Sequence, residues 1–163
     1  MSRFRVDLDK SELVFSAAHF ITYRGDQCEC LHGHNYRVRA SVEGPLDDNG
    51  YVIDFIALRD RLASIIRPLD HQVLLPTRHP LIRLRERPGE VLVSFGDRNW
   101  MFPRQDCVLL PVANTTAELL ARHIGRRLRN AVDREPEADR WTLAVGVDEN
   151  GGQWGWWNER RDG

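Results

Sequence analysis

The sequence predicts an α+β fold in which two helices pack on one face of an antiparallel β-sheet, and three observations predict it. Segments that alternate apolar with polar residues lie toward both ends of the chain, two segments of helical periodicity lie between them, and no linker or low-complexity tract divides them. The order is two strands, helix, helix, two strands. A single small sheet of this kind leaves two edges, and edges invite pairing with other subunits.

The elements follow in chain order. Residues 4–8 together with 12–20, and then 34–43, read as strands; the latter carries the alternation Asn35-Tyr36-Arg37-Val38-Arg39-Ala40-Ser41-Val42 and ends toward the turn Asp47-Asp48-Asn49-Gly50. From Asp54 the period changes. Phe55, Leu58, Leu62, Ile65 and Ile66 recur at helical spacing, with Asp54 as the cap and Pro68 as the stop. A second helix spans about 116–132, opened by the capping-box-like Thr115-Thr116-Ala117-Glu118, with Leu119, Leu120, Ile124, Leu128 and Val132 as its buried stripe. Trp141–Glu149 alternates as a strand, and Gly151-Gly152 turns it into a last strand over Gln153–Trp157. Between the helices, Glu90–Phe95, the turn Gly96–Asn99 and Trp100–Phe102 read as a β-hairpin, whereas Arg78–Arg87 reads as a solvated basic segment. The organisation expected is one domain, 1–163, carrying this hairpin-like segment within about 76–113.

Composition narrows the function classes. With 163 residues, 42% of them hydrophobic and 29% charged, the chain has the make-up of a globular protein with a real core rather than a disordered one. A net charge of −1 and the absence of a long single-sign block argue against a nucleic-acid footprint. No run has the length of a membrane span, and Met1–Asp7 lacks the apolar core of a signal peptide, so the cytoplasm is the expected location. Three cysteines make no disulfide framework. Cys28 and Cys30 sit too close for an ordinary bridge, and a reduced thiol there can serve as nucleophile or base.

The chemistry concentrates in Cys28-Glu29-Cys30-Leu31-His32-Gly33-His34. Residues i and i+2 of a strand share a face, so His32 and His34 can present nitrogen to one ion; equally, they can be a solvent-facing pair. His19 ends a second strand that can lie opposite them, which makes three imidazoles. Three neutral imidazoles with a fourth position open are the donor set of a catalytic zinc site, although nickel or iron accepts the same nitrogens. Leu69-Asp70-His71 offers an acid that can orient a proton-shuttling imidazole if a turn brings the neighbours together; otherwise it is a helix-end acid beside a surface histidine. Glu149, taken alone, is a strand-end acid.

Together His19, Cys28-x-x-x-His32-Gly33-His34, Gly50-x-x-Ile53-Asp54-Phe55, Leu69-Asp70-His71, Thr116-x-Glu118-x-x-Ala121 and Glu149 resemble the 6-pyruvoyl-tetrahydropterin synthase and 6-carboxytetrahydropterin synthase family over about 12–75 and 114–155. The resemblance implies a tunnelling fold, in which sheets of three subunits close a β-barrel and two trimers stack into a homohexamer with active sites between subunits. It implies zinc held by His19, His32 and His34, and 7,8-dihydroneopterin triphosphate as the small-molecule partner, losing triphosphate or part of its side chain. Cys28 then matches the catalytic thiol, with a pKa lowered by a nearby cation, and Asp70 with His71 the proton relay. Glu149 matches the carboxylate that anchors the pterin ring, with Thr116 and Glu29 as further substrate contacts.

The chain departs from the family pattern in places. Its 76–113 segment is long, Leu74-Leu75 replaces Leu-Asn, and Glu149-Asn150 replaces Glu-Thr. The segment also satisfies a variant form, Glu29-x-x-His32-Gly33-His34, in which a carboxylate replaces the thiol and a retro-aldol cleavage yields 6-hydroxymethyl-dihydropterin. The leading expectation is a zinc-dependent lyase making 6-carboxytetrahydropterin, the queuosine and 7-deazapurine precursor. The alternatives are formation of 6-pyruvoyl-tetrahydropterin, the retro-aldol product, or a non-catalytic pterin- or purine-binding scaffold.

Overall fold

The computed structural model describes residues 2–160. In chain order the elements are β1 (Phe4–Leu8), β2 (Val14–His19), β3 (Thr22–Tyr23), β4 (Gln27–Cys28), β5 (His32–Gly44), α1 (Phe55–Ile66), β6 (Gln72–Pro76), β7 (Arg83–Arg87), β8 (Glu90–Phe95), β9 (Arg98–Pro103), β10 (Cys107–Leu110), α2 (Ala117–Val132), β11 (Thr142–Asp148) and β12 (Trp154–Arg160). The spine is β5. Along one side its first half pairs with β2 and its second half with β1, while its other side pairs with β11, all antiparallel. Alternation along β5 buries Tyr36, Val38, Ala40 and Val42 against Leu143, Val145 and Val147 of β11 and the apolar stripes of both helices. Leu58, Leu62, Ile65 and Ile66 of α1 and Leu120, Ile124, Leu128 and Val132 of α2 complete this core, each worth about 1.5–3 kcal/mol of transfer free energy.

The sheet is mixed, which corrects the expected all-antiparallel arrangement. Its order is β10-β6-β2-β5-β11-β12, with β1 beside β5, and both the β10–β6 and the β6–β2 pairings are parallel. Both strands arise from short apolar runs, Val73-Leu74-Leu75 and Cys107-Val108-Leu109-Leu110, that do not alternate and therefore carry no period-2 signal. The expected hairpin is present as β8–β9, and β7 adds a third strand to it. Arg83, Arg85 and Arg87 face outward from β7 while Leu84 packs inward, so the stretch read as merely solvated is an alternating edge strand. Its inner side meets a second apolar cluster of Phe20, Leu75, Ile82, Val91, Val93, Phe95 and Cys107.

The helix caps are resolved at atomic level. Asp54 caps α1 by accepting from the Ala57 N–H, as the sequence predicts, but α2 starts one residue later than the capping-box reading of Thr115. Thr116 is the N-cap, accepting from the Leu119 N–H at 3.4 Å, and the Thr115 hydroxyl donates to the Phe20 carbonyl instead. Helix α2 lies so close to β12 that a Cβ on Gly155 would stand 2.5 Å from the Glu118 nitrogen, an approach only glycine permits.

At the other end of α2, Arg129 is 3% exposed and ties four groups together: the Glu159 carboxylate and the carbonyls of Ala138, Trp141 and Glu159. Removing a buried, fully bonded guanidinium strands all of them. Arg129→Met is expected to lower unfolding free energy by about 3 kcal/mol, read from denaturant midpoints at unchanged m-value.

Candidate metal centre

The register of β2 on β5 builds the centre. His19 is directly opposite His32, and Ala17 opposite His34, so the three imidazoles gather on one face at the end of the ladder. Their ligand atoms all lie within 4.8 Å of one another. Two backbone carbonyls set the tautomers: Thr115 O accepts from His19 Nδ1 at 3.0 Å, and Cys30 O from His32 Nδ1 at 2.8 Å. Nδ1 must therefore carry the proton in both rings, which leaves the lone pair of each Nε2 free to ligate.

The residues fit a bound metal ion. His19 Nε2 is fully buried and makes no hydrogen bond, and 3.1 Å away the Glu149 Oε1 is likewise buried and unpartnered. A buried lone pair with nothing to accept is costly unless something else meets it. Burial pushes His34 below its ordinary pKa, outweighing the pull of Glu149, so its ring is kept neutral and able to ligate. Beneath the cluster Tyr36 is fully buried, its ring edge-on to His19 and His34 and stacked on Phe15 at 4.7 Å. Burial, reinforced by Glu149, raises its pKa strongly, so it stays a neutral phenol.

Cys28 and Glu29 diverge. Cys28 is half-buried at the end of β4 and packs against the second apolar cluster, its Sγ 3.5 Å from the Glu29 carbonyl. Burial raises the thiol pKa, with Arg98 opposing and Glu29 adding, whereas the sequence suggested a lowered one. The Glu29 carboxylate points the other way and lies 3.8 Å from His32 Nε2. Strand neighbours point to opposite sides, and here the carboxylate takes the side of the histidines.

The turn required by the Asp70-His71 pair exists. His71 has φ 58, and this left-handed step folds its ring back so that Nδ1 lies 3.0 Å from Asp70 Oδ2. The same turn is fastened to β2, where the Ser16 N–H donates to Asp70 at 2.8 Å and the His71 N–H to the Ser16 carbonyl. The His71 side chain is 82% exposed. It lines a cleft of about 490 Å³ together with His34, Ser16, Ala18, Gly33 and Asn35. Among the described residues, His71 makes no hydrogen bond or ring contact with the three histidines.

Thr116, expected as a substrate contact, accepts the α2 cap bond from the Leu119 N–H with its hydroxyl oxygen. Three contributors escaped the sequence reading. The Thr115 carbonyl orients His19, Tyr36 floors the cluster, and the Asp148 carboxylate accepts from the N–H groups of Asn150, Gly152 and Gln153 to fix the turn that presents Glu149. Only Tyr36, two residues beyond His34 on the same strand face, could have been read in advance.

The profile of the 6-pyruvoyl tetrahydropterin synthase family matches residues 10–159. The chain belongs to that family. It is 32% identical over 115 residues to a provisionally named 6-carboxy-5,6,7,8-tetrahydropterin synthase of Pyrococcus abyssi, covering 70% of this chain and 68% of that one. A 60-residue stretch, 37% of this chain and 50% of the relative, is 37% identical to the dihydroneopterin monophosphate aldolase of Pyrococcus furiosus. Among solved structures, the 6-pyruvoyl tetrahydropterin synthase of Plasmodium vivax superposes with TM-score 0.91 at 27% identity, covering 98% of this chain and 99% of that one. Membership makes this protein a pterin-processing lyase, and among the described residues the three histidines form a group that could hold a metal ion.

Two outcomes follow. His32→Ala is expected to reduce bound metal at least about tenfold, as measured by elemental analysis after dialysis, while the far-ultraviolet circular dichroism stays unchanged. The hydrogen bond from the Ser16 N–H, helped by His71, holds the Asp70 pKa below its usual value, so its stabilisation is present above the unfolded pKa of about 3.9 and is lost as pH falls through the lower folded value. The gap in denaturation midpoint between the parent and Asp70→Asn should therefore be open at neutral pH and shrink on acidification below about pH 4.

Proposed function

We propose that this protein is a zinc-dependent lyase that shortens the side chain of 7,8-dihydroneopterin triphosphate, with 6-carboxytetrahydropterin as its product. The observation that carries this reading is the convergence of His19, His32 and His34 around the unpartnered His19 Nε2, with the Glu149 carboxylate at its side. His19, His32 and His34 would hold the zinc, and a zinc ion there supplies Lewis acidity that makes the side-chain hydroxyls easier to deprotonate. Glu149 can accept the paired N–H groups of the pterin edge bidentately. His71, exposed and polarised by Asp70, carries a proton to or from a reacting carbon. His71 lines one cleft with His34 but makes no hydrogen bond or ring contact with the histidines of its own chain among the described residues, and we place it at the site of a neighbouring subunit, in a homohexamer of the family's barrel type. Relatives named 6-carboxytetrahydropterin synthase support this product. The free thiols Cys28, Cys30 and Cys107 suit a reducing, cytoplasmic setting.

One observation favours a second reading. Glu29, not Cys28, faces the imidazoles. A mutant of the Plasmodium vivax enzyme is described as replacing a catalytic glutamate, and the Pyrococcus furiosus relative is named an aldolase. In a retro-aldol, Glu29 takes the hydroxyl proton from the second side-chain carbon, the bond between the first and second carbons breaks, and its electron pair moves into the ring imine. The two-carbon fragment leaves as an aldehyde bearing the triphosphate, and a proton returned to the first carbon gives 6-hydroxymethyl-dihydropterin.

Liquid chromatography with mass spectrometry on the zinc-loaded protein separates these outcomes. The first reading expects 6-carboxytetrahydropterin, abolished in Cys28→Ala although zinc is retained. Formation of 6-hydroxymethyl-dihydropterin alone, lost in Glu29→Gln and kept in Cys28→Ala, establishes the second and overturns the first. A zinc-loaded protein inert toward the triphosphate overturns both.

A further inference from the structure

The three-stranded sheet β7–β9 meets the candidate site through the apolar cluster under Cys28 and through one charged side chain. Arg98, the first residue of β9, extends its guanidinium to the segment before the His-Gly-His motif, where a single Nη1 donates to the Cys28 carbonyl at 2.7 Å and to the Glu29 carbonyl at 3.0 Å. The guanidinium lies 4.7 Å over the Trp100 ring, and Trp100 in turn stacks on Phe20 at 4.6 Å with the planes 11° apart. Phe20 directly follows His19 in the chain. The cation is thus braced on a pile of rings rooted beside one histidine while it grips the peptide that leads to the other two.

That peptide's own ladder holds it weakly. The β3–β4 ladder is two pairs long, Thr22 with Cys28 and Tyr23 with Gln27, which is too short to define its own register. Its Thr22 end is fixed by Asn114 and His79, and the Glu29 N–H donates to the Ile21 carbonyl at 2.9 Å. The Cys28 end is fixed by Arg98. Register matters here because adjacent side chains of extended backbone point to opposite sides, so a slip of one residue exchanges thiol for carboxylate on the face toward the imidazoles.

We infer that Arg98 is a positioning residue for the reaction, holding the Cys28–Glu29 peptide so that Glu29 faces the histidine cluster and Cys28 faces the apolar cluster. The inference rests on the lyase reading for its kinetic consequence, although the positioning itself is measurable without turnover. It also gives the β7–β9 sheet a part in the chemistry, through a side chain that touches neither the pterin-anchoring carboxylate nor the metal ligands.

The test uses the full-length, metal-loaded protein and three variants. Arg98→Met keeps an unbranched apolar stem and removes the donor to both carbonyls, Arg98→Lys keeps a charged donor, and Met101→Ala alters an exposed residue of the same strand as a control. Hydrogen exchange read by mass spectrometry over residues 22–31 should quicken roughly tenfold in Arg98→Met, recover in part in Arg98→Lys and stay at the parent rate in Met101→Ala. With metal content unchanged, kcat of Arg98→Met on dihydroneopterin triphosphate should fall about 10- to 100-fold while KM moves less than about threefold. Parent-like exchange in Arg98→Met, or a fall in kcat that only tracks its folded fraction, overturns the inference. If the parent itself does not turn over the triphosphate, the lyase reading fails, and the exchange measurement alone decides the positioning.

Discussion

The pairing of β2 with β5 is the constraint on which the rest of the site depends. It sets His19 against His32 and, through the two-residue period of the strands, brings His34 and Tyr36 onto the same face. A slip of either strand by one residue would turn its imidazoles to the far side of the sheet and carry Phe15 or Tyr36 out of the core with them. The pairing is secured along the outer side of β2, by β6 running parallel to it and by the Asp70-His71 turn, which exchanges two hydrogen bonds with the Ser16 backbone. One residue of β2 therefore anchors the proposed relay while a neighbour three positions on carries a ligand.

Around that frame the polar groups are arranged so that each has one task. Carbonyls of Thr115 and Cys30 occupy one nitrogen of His19 and His32 and leave the other free, and burial keeps His34 neutral. The Thr115 carbonyl is itself available because α2 begins at the next residue, with Thr116 as cap. The start of a helix and the tautomer of a histidine nearly a hundred residues away are thus one structural fact. Asp148 plays the corresponding part for Glu149 by closing the turn beyond β11.

Much of this was legible in the sequence where local chemistry determined it. The alternation through His32-Gly33-His34-Asn35-Tyr36 marks a strand with both histidines on one face, and Asp54 before a helical stripe marks the start of α1. What was not legible depended on partners distant in the chain. β6 and β10 are short and apolar on both sides, so nothing in their own residues reveals that they pair in parallel at a sheet edge. The directions of Cys28 and Glu29 could not be read because a two-pair ladder does not fix them, and the residue that does, Arg98, lies 70 positions along the chain from Cys28. The His71 turn was legible only as a condition, since a left-handed histidine leaves no mark on composition.

The close spacing of the three histidines also bears on how the molecule acquires its shape. All of them belong to one hairpin-like stretch, 19–34, whereas the strand that flanks β5 on its far side, β11, is contributed by residues 142–148. Closing a short loop costs little chain entropy, and joining the ends of a chain of this length costs more and is slower. The β2–β5 hairpin can therefore assemble its nitrogens before β11 arrives, so that an ion captured early would act as a nucleus on which the remaining sheet is laid down. In that order of events a bound ion would be a folding partner first.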